Sequence, residues 1–434
     1  MPGQSDIRID VVILGAGISG LTAAEYLSRA YPDQAILVVD EYGHVGGNHI
    51  SVDLNGYSFD IGSFIFRSDT AFLDVFPVLR RRLIPHPVRI KRLNPAGKVT
   101  AYPFSIRDDV LRRGPLVAVA YLASLLWGRI ARRPMRNAAD FCRFWIGERF
   151  FVGSGLEHYI ERFFGLPADK IDLEFANRRM TWVSGAASLG KARKWLRGRK
   201  AKKPVPILVR PQEGFSALYE AVRADLEDRG VDFLLGTDLR AIARAGERTV
   251  LSTAAGTVSA GRVISTIPLA RAAELCGLGK EVDFASVELV SLFFSHAGDR
   301  GFDSQILYNF TLGGRWKRLT VYSDFYGKVR GRDYFTVEVN RPTPDFDVAQ
   351  LEADFRESCA KVGILRGDLL LEGSRSLTSA YPALLVGSPK RAEEMIARLR
   401  TFGLDCLGRQ GKFDYIPTAD RSVREVRAAI GLKT

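Results

Sequence analysis

The stretch Gly15-Ala16-Gly17-Ile18-Ser19-Gly20, followed twenty residues later by Asp40, holds the residue types that bind a dinucleotide pyrophosphate. Gly15 permits a tight turn, Gly17 lets the main chain approach the pyrophosphate, and Gly20 lets a helix pack closely on a strand. The pyrophosphate then meets a helix N-terminus, where unpaired N–H groups and the helix dipole favour an anion. Asp40 is spaced to take the ribose hydroxyls. Beyond it come a second glycine pair, Gly46-Gly47, then Asn48 and the segment Gly56 to Gly62. Extra glycines allow backbone to lie along more of a cofactor, as a flavin's ribityl chain requires. The spacing alone leaves flavin and nicotinamide both open.

The elements needed to present these residues surround them. Val11-Val12-Ile13-Leu14 runs straight into the glycines, a helix-like segment spans Leu21 to Ala30, and a second apolar run, Ala35 to Val39, ends on the acid. That is a complete strand–turn–helix–strand unit. Residues 86–204 read as mainly helical. Gly214-Phe215 opens a helix over Ser216 to Asp228, and short alternating runs follow at Val231 to Leu235, Arg248 to Thr253 and Arg262 to Ile267. The last of these stops at Pro268 and reads as a return to the nucleotide-binding unit. Strands are expected at Glu288 to Phe294, Leu319 to Tyr322 and Tyr334 to Val339, and a helix from about Arg421.

At 434 residues the chain is too long for one simple core, and 46% hydrophobic residues is ordinary for a folded protein. The polar opening, Met1 to Asp10, is expected to leave no room for a signal peptide. The longest apolar run, Pro115 to Trp127, falls short of the ~20 residues that a spanning helix needs. Cys142, Cys276, Cys359 and Cys406 show no CxxC spacing, and the five histidines form no ligand set. No metal is expected, and a reducing, cytoplasmic setting fits. The net charge of +13 is concentrated in two places: Lys191 to Lys203, and the arginines Arg112, Arg113, Arg129, Arg132, Arg133 and Arg136 that bracket the apolar run. No recognition motif accompanies the charge, so nucleic acid is not an expected partner. For residues 108–136 the preferred reading is a buried helix with solvated ends, and the alternative is peripheral contact with an anionic membrane. A phosphorylated substrate would be drawn in by the overall field.

Several separated segments occur in a family's order: Val38-Val39-Asp40, His44 to Asn48, Gly62-Ser63-Phe64 through Asp69, Ala101 to Phe104, Tyr159 to Pro167, Arg262 to Pro268, Ala380-Tyr381-Pro382, and Gly408 to Asp420. On these the chain resembles the FAD-dependent UDP-galactopyranose mutases and their protoporphyrinogen-oxidase-like and amine-oxidase-like relatives. The resemblance implies an α/β fold with a discontinuous Rossmann-type (GR2-like) FAD-binding domain, residues 1–85, 205–284 and 375–434. It further implies a mainly helical insert, 86–204, and a mixed-sheet substrate domain, 285–374. FAD is the implied cofactor. Besides the residues already named, Ile18, Ser19, Glu41, Ser63, Phe64, Leu239, Gly408, Arg409, Asp420, Ser422 and Val423 are the implied cofactor positions. Gly408 and Gly411 would let backbone approach a flat ring, and Asp420 would cap a helix pointing at flavin N1 and O2.

The mutases do redox-neutral work: reduced flavin N5 attacks the anomeric carbon of a nucleotide-linked sugar, the diphosphate leaves, and the ring recloses in its other form. Guanidinium groups suit the diphosphate because their fork meets its oxygens two at a time. The resemblance assigns that role to Arg318 and Arg179, with Arg178 competing for the second position, and sets Tyr381, Phe413 and Tyr415 around diphosphate and sugar. Phe64 stands where the mutases carry a histidine, and Phe164 where a tryptophan is usual. Two activities follow: a mutase-like enzyme on a nucleotide sugar for surface polysaccharide, or an FAD oxidase or desaturase on an apolar or amine substrate.

Overall fold

The strand Ile7–Leu14 ends in an unbroken apolar run, Val11 to Leu14, and Val12, Ile13 and Leu14 are fully buried, as a strand covered on both faces requires. It pairs in parallel with Ile36–Asp40 on one side and Gly256–Ser265 on the other. The sheet continues through Val231–Leu235 at one edge and through the antiparallel hairpins Arg248–Thr253 and Leu239–Ala245 at the other, with Leu404–Cys406 also joined to Gly256–Ser265. Helices Ile18–Ala30, Gly214–Glu227 and Ala419–Ile430 cover it. Strands from three distant stretches of chain thus complete one α/β layer, as expected. The computed structural model describes residues 7–62, 65–131, 134–186, 205–279, 284–341 and 347–431. Ser63, Phe64, Arg132, Arg133 and the basic run Lys191 to Lys203 lie outside them.

A second sheet of seven strands runs in the order Leu365–Pro382, Ser286–Arg300, Asp333–Arg341, Arg318–Val321, Ile306–Asn309, Ile90–Leu93 and Val99–Ala101. It is antiparallel except where Ile306–Asn309 meets Ile90–Leu93, so it is mixed. The stretch 86–204 contributes its two end strands before turning helical, and Leu365–Pro382 crosses residue 375.

Two buried ion pairs hold these pieces together, the first at the junction between the sheets. Arg210 donates to Asp60 at 2.6 Å and to the carbonyls of Ser58 and Pro211, while Ser51 Oγ donates to the same Asp60 oxygen. Arg92 meets Asp109 and the carbonyl of Ser154 where the helical segment leaves the second sheet. Each charge is buried, and each is paired and hydrogen-bonded, as burial demands.

The helix Pro115–Ile130 departs from the preferred reading of its sequence. No residue in it is buried. Its small and polar side, with Ser124 and Gly128, faces the helices Ala138–Ile146 and Glu148–Gly153; a Cβ at Gly128 would sit 2.7 Å from the carbonyl oxygen of Arg143. Its apolar side faces outward. Among the described residues no single helix is long and apolar enough to cross a membrane.

Candidate active site

The turn between the first strand and the first helix is held by main chain and one carboxylate. Gly15 N–H donates to the carbonyl of Val39, Gly46 N–H to that of Ala16, and Thr266 Oγ1 to that of Leu14. Gly15 sits at φ +102°, open to glycine, and a Cβ on Gly20 would lie 1.8 Å from the Gly15 carbonyl oxygen. Asp40 accepts from Ala16 N–H at 2.6 Å and from Tyr42 N–H at 2.8 Å, so its carboxylate braces the turn as well as facing the cavity. Burial raises its pKa against those two bonds. Glu41, beside it, also lines the cavity and is exposed.

Gly17 caps the helix Ile18–Ala30 without any side-chain hydrogen bond, and no acid lies in the first turn. The leading N–H groups are therefore open to an anion. Across from it, Ala419–Ile430 starts beside Ser19, whose hydroxyl lies 2.7 Å from that of Ser422. Thr418, not Asp420, caps that second helix by accepting from Arg421 N–H. Asp420 lies in its first turn, accepts from Ala71 N–H at 2.7 Å and pairs with Arg424. Gly408 and Gly411 approach the protein's own chain: a Cβ would meet Ser19 Oγ at 2.2 Å and the Ser265 carbonyl oxygen at 2.5 Å. Asn48 Nδ2 donates to the carbonyls of Ser379 and Ala380, tying the glycine loop to the second sheet.

From this turn a cavity of about 1550 Å³ extends to the second sheet. That exceeds the ~300–1,000 Å³ usual for one drug-sized ligand, so it has room for a dinucleotide and a second molecule. It is lined at one end by Gly15, Gly17, Ile18, Ser19, Asp40, Glu41, Gly46, Gly47, Asn48, Gly62, Arg409, Asp420 and Ser422, all of them anticipated. Gly20, Gly408, Leu239 and Val423 are not in its wall; the last two are buried apolar residues of the surrounding core.

The far end was only partly anticipated. Arg178 and Arg179 sit at the close of the helix Leu173–Arg179, whose start is capped by Asp172. Neighbours in a helix point about 100° apart. Arg178 turns to Glu174, Asp414 and Glu425 at 2.6, 3.0 and 3.5 Å, while Arg179 turns to the cavity. There Arg179 donates to Tyr159 Oη at 3.5 Å and forms no ion pair among the described residues. Burial works against its charge, but the phenols of Tyr159, Tyr415, Tyr102 and Tyr308 outweigh that and hold its pKa high.

Arg318 is also in the wall, and it already has a carboxylate. Its Nε lies 2.5 Å from Glu338 Oε1, its partner across the strands, and Lys317 Nζ lies 3.1 Å from Oε2. Burial raises the Glu338 carboxyl, yet the two cations win and its pKa falls below the ordinary value. The Lys317 ammonium, buried between Glu338 and the Phe163 ring, is pushed down to about 8, chiefly by burial. Tyr381 presents its ring to the cavity, but its hydroxyl donates to the Phe163 carbonyl at 2.7 Å and meets Asn340 Nδ2. Tyr415 lines the cavity beside Phe163 and Tyr381. Phe413 does not; it packs on Phe284.

Lys317, Glu338, Tyr102 and Tyr308 were missed as site residues. The only sequence signal was the neighbouring pair Lys317-Arg318 entering a strand, since nothing local shows which distant strand supplies the carboxylate.

Comparison with known proteins agrees with this architecture. The chain belongs to the flavin containing amine oxidoreductase family, whose family model matches residues 18–293. Among solved structures, a reduced UDP-galactopyranose mutase superposes with a TM-score of 0.78 at 19% identity, covering 97% of this chain and 93% of that one. Cyclohexylamine oxidase from Brevibacterium oxydans superposes with a TM-score of 0.63 at 14% identity, covering 97% of each chain. At such identities the likeness is one of fold. Among curated proteins, chloroplastic protoporphyrinogen oxidase 1 of Arabidopsis thaliana is 37% identical over 73 residues, 16% of this chain and 14% of the relative's length.

Membership implies a flavin, and the residues present fit one. The uncapped helix start at Gly17, the acids Asp40 and Glu41 at the strand end, and Arg409 would hold it. Arg409 is a cation lowered in pKa by burial, with no ion pair among the described residues.

Proposed function

We propose that this protein is an FAD-dependent enzyme acting on a nucleotide-linked sugar, interconverting its pyranose and furanose forms for surface polysaccharide. The observation that carries this reading is Arg179, a cavity-facing guanidinium set among tyrosines and lacking a carboxylate partner among the described residues. A buried cation of this kind is costly unless an anion joins it, and a diphosphate supplies oxygens in the geometry a guanidinium prefers. FAD, bound in reduced form, would supply a nucleophilic nitrogen for the anomeric carbon with no net oxidation. The protein's own part is to grip the diphosphate, hold the sugar over the ring, and stabilise charge as the diphosphate departs.

Arg179 does the gripping. Arg318 is held by Glu338 through Nε and donates from Nη1 to Tyr308 Oη at 3.4 Å, and Lys317 adds a positive charge below about pH 8. Burial keeps the Tyr102 and Tyr159 phenols protonated, so Tyr102 in the wall and Tyr159 behind Arg179 add no negative charge that would repel an anion.

Oxidation of an apolar or amine substrate is the second reading. It is favoured by the aromatic wall in which Tyr102 stacks on Tyr308 at 4.4 Å, backed by the buried stack of Tyr159 on Phe310 at 4.6 Å. Titrating the flavin-loaded protein with UDP, UDP-galactose and cyclohexylamine separates the two. The mutase reading expects UDP and UDP-galactose to perturb the flavin absorbance, and the dithionite-reduced protein to yield a furanose product on chromatography. Bleaching of the flavin by the amine, with no response to either nucleotide, would overturn it.

A further inference from the structure

The helix Pro115–Ile130 inverts the usual surface pattern, in which the apolar stripe faces the core and the polar face meets water. Its exposed large residues are Leu116, Val119, Leu122, Leu126, Trp127 and Ile130, with Leu116 84% and Ile130 72% exposed. At 100° per residue these six fall within about 140° of arc, so they form one outward stripe. The opposite side holds the helix down. Ser124 Oγ accepts from Arg149 N–H, Tyr121 packs edge-on to Phe150, and Tyr121 Oη accepts from Arg113. Leu111, just upstream, is 64% exposed and extends the patch. Exposed apolar area of this kind marks a place where something binds.

The charges around the stripe identify the occupant. Exposed Arg107, Arg112 and Arg113 lie before it, with Arg112 paired to Asp108, Arg129 lies in its last turn and exposed Arg136 follows it. Arg129 stays over the Phe144 and Trp145 rings and donates to the Phe144 carbonyl. The chain as a whole carries +13. A second copy would bring the same arginines to the same rim and be repelled, whereas an anionic lipid surface is complementary to both stripe and rim. The helix has 16 residues, so it reaches only ~24 Å against the ~30 Å of a bilayer's hydrocarbon. The preceding segment Arg107–Arg113 turns away from it by 118°, with Gly114 at φ +94° in the corner, which suits a helix lying in the plane of a surface.

We propose that Pro115–Ile130 docks this protein on anionic membranes, with the leucine and tryptophan stripe in the acyl boundary and the arginines at the headgroups. The proposal is independent of the substrate reading.

Flotation of the flavin-loaded full chain with vesicles tests it, using phosphatidylcholine alone or mixed with phosphatidylglycerol. The protein should float with the mixed vesicles, Trp fluorescence should shift to the blue, and Trp127→Phe should remove that shift. Leu122→Glu with Leu126→Glu should lower the bound fraction more than roughly tenfold while retaining flavin absorbance, since both positions are solvent-facing. Arg107→Glu with Arg136→Glu should lower it by roughly fivefold per charge removed, and high salt should mimic that loss. Failure to float with mixed vesicles, or flotation unchanged in the double glutamate variant, would overturn the proposal. So would a wild-type dimer in sedimentation that the glutamate variant dissociates without any vesicle binding, because a second copy would then own the stripe.

Discussion

At the glycine-turn end the cavity is faced by main chain, in the open N–H groups after Gly17 and the loop at Gly46-Gly47, flanked by the Asp40, Glu41 and Arg409 side chains. At the far end they are side chains from separate segments: Tyr102, Arg179, Tyr308, Lys317, Arg318, Tyr381 and Tyr415. Main-chain sites recognise what every dinucleotide shares, and their geometry follows from the turn itself. A side-chain site selects one substrate, because the identity, partner and ionisation of each group can change without moving the backbone.

The comparison can be broken most severely at the join between the two ends. Arg210→Met leaves the Asp60 carboxylate buried and unpaired, and should lower unfolding free energy by about 3–5 kcal/mol in denaturant titration. Both ends should fail together. At the far end alone, Arg179→Met should weaken UDP binding by roughly 10–100-fold, the worth of a charge-assisted hydrogen bond or two, while flavin content holds. Arg178→Met should leave UDP affinity near wild type, since that side chain serves Glu174, Asp414 and Glu425. Equal losses from the two variants would erase the distinction drawn between them.

Lys317 gives the far end a pH signature of its own. Its ammonium titrates at about 8 in the folded protein against 10.5 in the ordinary state, because burial disfavours the charge. Affinity for UDP should therefore fall several-fold as pH rises through 8, and Lys317→Met should flatten the profile. Stability moves the other way. Between about 8 and 10.5 the unfolded chain binds more protons than the folded one, so unfolding free energy rises with pH across that window. The smallest effect belongs to the other end: Thr418→Ala removes the cap of Ala419–Ile430 and should cost about 1 kcal/mol, read as a lower Tm with unchanged UDP affinity.

Much of the first end was legible in the sequence. The helix expected over Leu21 to Ala30 is Ile18–Ala30, the runs at Val231 to Leu235 and Arg248 to Thr253 form strands with those bounds, and the helix expected near Arg421 begins at Ala419. These follow from local period and capping, which act over a few residues. Two local readings misled. Asp420 has the chemistry of a cap but stands two residues past Thr418, and it is used instead by Ala71 of a distant segment. Pro115 to Trp127 looked like a core helix because apolar composition carries no information about which face a neighbour covers.

By itself the sequence determined the glycine turn, the α/β alternation around it and the family, because glycine placement and hydrophobic period act through neighbouring bonds. The tertiary structure alone decided that Arg179 rather than Arg178 faces the cavity, that Arg318 already answers to Glu338, that Tyr381 has bonded its hydroxyl to the Phe163 carbonyl, and that an apolar helix turns outward. Each of those depends on contacts between segments separated by tens to hundreds of residues. Such contacts are set by how the two sheets and the helices between them pack, and no local pattern encodes them.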